Sequence, residues 1–297
     1  MIPQKMSRTP IPSRPRPRGL RRIVVALDGT SIGETVLRHL REFLGPRQVV
    51  VLIHVLPDSG TDREPDAARY LKDVQLRFPQ FRSRWIVETG DPAERIVDAA
   101  RDEDADALAM TTHARGSLVS LLMGSVAREV VRRAEKPVFL VRPGVTPPRR
   151  AGRRILVPLA EFPGAEPVPA AVESLARETN AEVRLVHVLP FPRIADPVTG
   201  FNPAVFRPIQ LPAVPWLDDC VNELTRREIR ATKRVLAGVP DEAILREGRE
   251  ENVDLIALET RGRGGLTRLV LGSVTEAVLK RADRAVLVCH RVEPGSA

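Results

Sequence analysis

Cysteine is scarce in this chain, which has only Cys220 and Cys289 among its 297 residues. Two isolated cysteines exclude a disulfide framework and a cysteine-rich metal site, so we expect a reducing, cytoplasmic environment. No apolar run approaches the roughly 20 residues that a membrane-spanning helix needs, and the N-terminus lacks the apolar core of a secretory signal. A composition of 43% hydrophobic and 28% charged residues predicts a soluble globular protein with no membrane partner.

The sequence signatures of several enzyme classes are absent too. It contains no HExxH metalloprotease motif, no GxSxG nucleophile elbow and no GxxxxGK[ST] phosphate loop. We therefore expect no catalytic residues and no resident metal ion.

Acidic residues are missing from two short, strongly basic segments. Residues 1–22 carry seven Lys or Arg, and residues 142–154 carry five Arg. Removing these twelve cations from the formal net charge of +8 leaves −4 for the rest of the chain. We predict a disordered Pro/Arg-rich tail over 1–20 and a linker over 143–152. We interpret the tail as a solvated extension, with contact to nucleic acid or another anionic surface as the alternative, because arginine clusters attract phosphate without sequence specificity. No aromatic residues interleave the tail arginines, so base stacking has no support and nucleic-acid binding is not expected.

What the chain does contain is an internal repeat. Gly262–Ser273 reads GRGGLTRLVLGS, and Ala114–Ser125, 148 residues earlier, reads ARGSLVSLLMGS. Each copy follows a short apolar run and precedes a helical pattern and another apolar run. A glycine-bearing loop that ends in Gly-Ser at a helix start can direct backbone N–H groups towards an anion. The repeat therefore predicts two copies of one domain.

Short apolar runs alternate with helical patterns around each loop, which predicts a doubly wound, five-stranded parallel sheet in each half, with ligands at the carboxyl ends of the strands. In the first half, Asp28–Ser31 is predicted to be a turn whose residues cap the following helix. We place the domains at 21–142 and 153–291. The second includes an insertion at about 190–228, which we interpret as a surface loop, with a lid or a partner-binding arm as the alternative. The predicted first-half strands are Ile23–Leu27, Val49–Leu56, Trp85–Glu88, Ala107–Thr111 and Pro137–Val141.

Taken in order, these motifs resemble the universal stress protein family in a tandem, two-domain form. The resemblance is carried by the strand end IVVALDGT at 23–30, the LIHV strand at 52–55, the G-x-P helix start at 90–92 and the loop pattern G-x2-G-x9-G-[ST]. It implies two flavodoxin-like or Rossmann-like (HUP-type) α/β domains packed as a pseudo-dimer. Family members pair through their last strands, so Pro137–Val141 and Ala285–His290 are expected to meet.

The resemblance also implies a regulatory function in the stress response, with ATP or AMP as ligand, Mg²⁺ as a companion to the phosphates, and at most slow ATP hydrolysis. ATP-binding members use an Asp after the first strand for the ribose, the residue after the second-strand His for adenine and the loop for the phosphates. The alternative is a nucleotide-free scaffold that acts through the Pro-rich insertion or the basic tail. Self-association is expected as the internal pseudo-dimer, and a homodimer is left open.

In the first half, the ribose and adenine positions fit this pattern and the loop does not. Asp28 and Val55 are present, but Thr111 and Ala114 replace the first two loop glycines, and their side chains are expected to obstruct a phosphate. The candidate nucleotide-binding residues of this half are Ala26, Asp28, Val55, His113, Gly124, Ser125 and Val126.

The second half departs from the pattern in the opposite way. Its loop is nearly whole, but Ala160 replaces the ribose Asp and Glu259 replaces the first glycine. We expect the second half to be the better site, because Arg261 and Arg263 can balance phosphate charge. Its candidate residues are Pro158, Val188, Glu259, Arg261, Gly262, Arg263, Gly272, Ser273, Val274 and Thr275.

None of the histidines is predicted to be catalytic. His54 and His187 end buried apolar runs and are predicted to be structural. His113 can contact a ligand from its loop, but no carboxylate is evident to orient it for catalysis. Cys289 lies in the last apolar run and is expected in the core or at an interface. Cys220 lies on the predicted helix of the insertion and is expected to be unreactive.

Overall fold

The structure is a computed structural model that describes residues 19–58, 63–112, 123–148, 153–160, 166–190, 214–261 and 271–291. The predicted tail up to residue 18 and the Pro-rich stretch 191–213 of the insertion lie outside the described residues.

Strands and helices alternate along both halves, as the apolar pattern predicts. The first half contains β1 (Arg22–Ala26), α1 (Thr35–Phe43), β2 (Val49–Leu56), α2 (Glu64–Arg77), β3 (Arg82–Thr89), α3 (Pro92–Asp102), β4 (Ala107–Thr111), α4 (Ser125–Arg133) and β5 (Val138–Val141). The second half contains β6 (Arg154–Pro158), α5 (Ala170–Thr179), β7 (Glu182–Pro190), α6 (Pro215–Arg226), β8 (Ala231–Gly238), α7 (Pro240–Glu250), β9 (Leu255–Arg261), α8 (Ser273–Arg281) and β10 (Ala285–Arg291).

These strands form one sheet in the order β3-β2-β1-β4-β5-β10-β9-β6-β7-β8. Pairing is parallel within each half. The halves join through β5 and β10, which are antiparallel and place Phe139 opposite Leu287. The predicted α/β fold and the pairing of the last strands are thereby confirmed. The junction leaves neither last strand as an open edge.

Helices cover both faces of the sheet, which explains why the strands are apolar without alternation. Ile23, Val24 and Val25 of β1 are at most 2% exposed, and successive residues enter opposite core clusters. One cluster contains side chains of α1, α2, α5 and α6, and the other contains side chains of α3, α4, α7 and α8.

The G-x-P motif adopts the same conformation in both halves. Gly90 and Gly238 have φ of +131° and +134°, a region that favours glycine. Each is followed two residues later by a proline that begins a helix, where its missing N–H costs nothing. Asp91 also caps α3, because its carboxylate accepts a 2.9 Å hydrogen bond from the N–H of Glu94.

The predicted capping of α1 by Asp28–Ser31 is wrong. The helix begins only at Thr35, after turns at residues 31–34, and no side chain caps it. Instead, the carboxylate of Asp28 accepts a 3.0 Å hydrogen bond from the N–H of Thr30. Such a local bond competes with helix formation and holds the chain in a turn.

Phe139 is the aromatic anchor of the junction between the halves. It is 4% exposed and meets the ring of Phe43 edge-on, with 5.5 Å between ring centroids. Phe139→Ala is expected to lower the free energy of unfolding by about 3–5 kcal/mol in urea, because it leaves a cavity in the junction. Leu76→Ala is the control, since Leu76 is 69% exposed and its loss is expected to cost under about 0.5 kcal/mol. Equal losses for the two variants would contradict the described packing.

His39 gives the fold a predictable pH dependence. It is fully buried in α1, and burial lowers the pKa of its imidazole below the ordinary 6.5. As pH falls below about 6.5, the unfolded chain takes up a proton that the folded protein resists, so stability falls until the folded pKa is passed. Urea unfolding at pH 7.5 and 5.5 measures how much unfolding free energy is lost on acidification. This loss is expected to be smaller for His39→Leu than for the parent protein, by up to about 1.4 kcal/mol per pH unit. If His39→Leu lost as much unfolding free energy between these pH values as the parent protein does, His39 would not be the source of the pH dependence.

Candidate functional site

A cavity of about 500 Å³ lies in the first half, at the carboxyl ends of β1, β2 and β4. In the sheet, β1 lies between β2 and β4, so the strand order reverses there, and doubly wound sheets bind ligands at such a point. The volume lies within the range of small-molecule sites. The predicted residues that line the cavity are Ala26, Asp28, Val55, Gly124, Ser125 and Val126. His113 falls outside the described part of the chain.

Asp28 is held at the cavity wall by the turn that follows β1. Its Oδ1 atom accepts hydrogen bonds from the N–H of Thr30 at 3.0 Å and from the hydroxyl of Thr30 at 2.7 Å. Gly29 has φ of +82°, and a Cβ atom on Gly33 would lie 2.3 Å from Oδ1 of Asp28. Both glycines are therefore needed to keep the carboxylate in this position.

His54 joins the ends of β1 and β2 behind the cavity. Its Nδ1–H donates to the carbonyl oxygen of Leu27 at 2.8 Å, and His187 makes the same 2.8 Å bond to Leu159 in the second half. Since a carbonyl oxygen only accepts, Nδ1 carries the proton in both residues. The second half makes this bond although it has Ala160 in place of the aspartate, which agrees with a structural role for both histidines.

Helix α2 supplies a wall of the cavity that the sequence analysis did not identify. Asp66, Ala67 and Tyr70 line it from one helix face, and Arg63 lines it from just before the helix. The ring of Tyr70 also meets His54 edge-on, with 5.9 Å between ring centroids. The spacing of the apolar positions in α2 could have shown which face turns inward, but not that this face borders a cavity.

The hydroxyl of Tyr70 is kept in its neutral form. Burial, and after it the negative charge of Glu34, raise the pKa of Tyr70. Glu34 is 3% exposed and accepts two 2.7 Å hydrogen bonds from the guanidinium of Arg77. The phenol therefore remains a hydrogen-bond donor at neutral pH.

The opposite end of the cavity is formed by the start of α4, where Gly124, Ser125, Val126 and Ala127 line it. The first N–H groups of a helix have no partner within that helix, and its dipole favours an anion there. No acidic residue lies in the first turn of α4. This end of the cavity is thus chemically suited to phosphate.

Thr111 occupies the position of the first loop glycine and forms part of the cavity wall. Its hydroxyl donates a 2.9 Å hydrogen bond to the carbonyl oxygen of Gly33. The side chain of Thr111, which a glycine would lack, therefore ties β4 to the turn that carries Asp28. Ala114, the other predicted obstruction, is not among the described residues.

The second-half candidates occupy the equivalent positions. Pro158, Val188 and Glu259 lie near the carboxyl ends of β6, β7 and β9, and Ser273, Val274 and Thr275 begin α8 after Gly272. Ala160 is exposed and offers no carboxylate after β6. Thr275 is 7% exposed and faces the interior, as Ala127 does in the first half. Gly262, Arg263 and the side chain of Arg261 lie outside what the structure describes.

Both cysteines are buried. Burial raises the pKa of the Cys220 thiol to about 11 and raises the pKa of Cys289 as well. Thiols that stay protonated at neutral pH are poor nucleophiles. Among the described residues, no cluster of three His, Cys, Asp or Glu is placed to hold a metal ion, and none of the helices could span a membrane.

His54→Phe and His187→Phe form a matched pair for the strand-end hydrogen bond. Each substitution removes the donor to a strand-end carbonyl and is expected to lower the free energy of unfolding by about 1–3 kcal/mol in urea. If either variant proved as stable as the parent protein, the bond in that half would have no structural role.

Comparisons with known proteins place this fold and site in context. The model of the family described as "Universal stress protein family" matches residues 19–142 and again 152–290. A universal stress protein of Methanocaldococcus jannaschii is 37% identical over 87 residues, which cover 29% of this chain and 51% of that protein. A universal stress protein of Mycobacterium tuberculosis is 26% identical over 241 residues, which cover 79% of this chain and 78% of that protein.

The solved structures agree at the level of the fold. The crystal structure of a universal stress protein from Archaeoglobus fulgidus has a TM-score of 0.64 at 19% identity, and covers 91% of this chain and 98% of its own. The chain spans about half the length of the M. jannaschii relative and most of the mycobacterial one.

Proposed function

The chain belongs to the universal stress protein family, and on that premise we propose that it is a regulatory protein that binds an adenine nucleotide in the cavity of its first half. One observation carries the proposal. Residues from three separate segments, namely Asp28 after β1, Val55 in β2 and Gly124–Val126 at α4, line one cavity of about 500 Å³. The family resemblance assigns these positions to ribose, adenine and phosphate.

In this arrangement each part of the nucleotide has a chemically matched partner. The carboxylate of Asp28 accepts from ribose hydroxyls, the backbone of Val55 faces the adenine edge, and the N–H groups at the start of α4 face the phosphates. Loss of one such hydrogen bond costs about 1–3 kcal/mol, a tenfold to hundredfold loss of affinity. ATP and AMP are the proposed ligands, with Mg²⁺ accompanying the phosphates.

We propose the first half as the binding half, although the loop glycines predict the second. Loop glycines act on the phosphates alone, whereas Asp28 and the cavity between β1, β2 and β4 act on ribose and base. The second half has Ala160 where the ribose carboxylate is needed and Glu259 where a glycine would admit phosphate. A carboxylate beside phosphate adds repulsion unless a divalent ion bridges the two.

The wider proposal is of a cytoplasmic protein that responds to nucleotide levels and does not turn the nucleotide over beyond slow hydrolysis. The pairing of β5 with β10 lets one chain form the unit that two single-domain chains would form as a dimer. Association of two such chains into a homodimer stays a prediction.

The pair Gly124→Glu and Gly272→Glu tests which half binds. Both glycines have negative φ, −58° and −62°, so glutamate fits either backbone without strain. We expect Gly124→Glu to weaken ATP and AMP binding at least tenfold in calorimetry, because it puts a carboxylate at the phosphate end of the cavity. Gly272→Glu is expected to leave affinity within about twofold. The reverse order would place the nucleotide in the second half.

Whether any nucleotide binds is tested on the unaltered protein. Mass spectrometry of the freshly purified, denatured protein is expected to detect released adenine nucleotide. If none is released and millimolar ATP with Mg²⁺ gives no heat, the nucleotide proposal fails and the scaffold alternative takes its place.

A further inference from the structure

Strand β3 is one of the two outer strands of the sheet, and within the described part of the chain it pairs only with β2. The N–H of Gly90, just after β3, donates a 2.9 Å hydrogen bond to the carbonyl oxygen of Leu56 at the end of β2. Because successive residues of a strand direct their backbone groups to opposite sides, the odd-numbered residues of 83–89 direct theirs away from β2. These outward N–H and C=O groups can pair with another strand.

Trp85 is an exposed apolar side chain in the middle of this edge, with 37% of its surface accessible. It lies in register with Leu52, whose side chain belongs to the core cluster that contains α2, so the indole lies on the α2 side of the sheet. Gln75 of α2 donates a hydrogen bond to the outward carbonyl oxygen of Ser83. No described side chain bonds to the backbone of Trp85 or Val87, so the centre of the edge stays open to a strand.

The other outer strand, β8, carries a different side chain at the same position. The strand-end histidines are in register with Val87 of β3 and Val235 of β8, so Lys233 stands where Trp85 stands in the first half. Lys233 is exposed and forms an ion pair with Asp218. Lysine on an outer strand is a common means of preventing edge-to-edge pairing. The duplicated chain therefore has a lysine on one edge and an apolar aromatic residue on the other.

The charges along β3 complement those of a second, antiparallel copy of the same strand. Arg82 lies three residues before Trp85, and Glu88 lies three residues after it. If Trp85 of two copies are opposite each other, Arg82 of each copy lies opposite Glu88 of the other. Within the described residues, neither of these two side chains forms an ion pair. In the same register odd-numbered residues lie opposite odd-numbered ones, so the outward backbone groups of the two strands meet.

We propose that β3 pairs with β3 of a second copy of this chain, antiparallel and about a twofold axis at Trp85, so that the sheet continues across two molecules. A contact of this kind is isologous, because one surface serves both copies. A second copy supplies a glutamate for Arg82 and an arginine for Glu88, which favours it over a strand of another protein. No residue of β3 lines the cavity of the first half, so this proposal is independent of nucleotide binding.

Sedimentation equilibrium of the full chain measures the dissociation constant of the dimer, which we expect in the micromolar range. Trp85→Lys gives β3 the residue that β8 has and is expected to raise this Kd at least about fivefold, because it removes an aromatic pair and puts like charges opposite each other. Lys233→Gln is the matched control on the other edge and is expected to change Kd less than about twofold. Circular dichroism checks that each variant is folded.

A charge exchange tests the register. Arg82→Glu alone and Glu88→Arg alone each put like charges opposite each other, and each is expected to raise Kd at least about threefold. The double variant restores opposite charges and is expected to return Kd to within about twofold of the parent value. A chain that stays monomeric at millimolar concentration would overturn the proposal and leave the edge to a strand of another protein. Equal weakening by Trp85→Lys and Lys233→Gln, or no recovery in the double variant, would overturn it as well.

Discussion

The antiparallel pairing of β5 with β10 is the constraint on which the rest of the structure depends. It joins two five-stranded units into one sheet, buries both last strands and places Phe139 opposite Leu287. Because the halves meet about a pseudo-twofold axis, α1 and α5 pack against each other on one face.

The duplication separates what folding requires from what a ligand requires. Both halves keep the strand-end histidine bond and the glycine with positive φ before a helix-starting proline. These features fix the turns and strand ends at the carboxyl edge of the strands in either half, and they persist where Ala160 stands in place of Asp28. The carboxylate of Asp28 accepts bonds from Thr30 within its own turn, and the second half adopts the same fold with Ala160 in its place. The duplicated fold therefore does not depend on a carboxylate at this position, which agrees with the role towards a ligand that we propose for Asp28.

The sequence predicted the strands well because buried parallel strands are continuous apolar runs, and β2 and β4 have the bounds expected. The start of α1 was missed because the local bonds of Asp28 replace a helix cap. The candidate residues of the first half were identified by motif and do line one cavity, whereas Arg63, Asp66 and Tyr70 of the opposite wall were not. Sequence motifs identify the residues that loops and strand ends place at a cavity. Which side chains of a covering helix reach the same space depends on how that helix packs.

Thr111 stands at the position of the first loop glycine, and its contacts show that the loss of this glycine does not by itself imply the loss of ligand binding. Glycine is required where φ is positive or where backbone must touch the ligand, and otherwise a side chain can take part in the wall. Here the hydroxyl of Thr111 bonds to the carbonyl oxygen of Gly33, and Gly33 in turn leaves room for the carboxylate of Asp28. The substitution therefore ties β4 to the turn that carries Asp28 at the cavity wall. Under the proposed function, such a site holds the nucleotide chiefly through its ribose and base, so AMP is expected to lose less affinity than ATP relative to an intact loop.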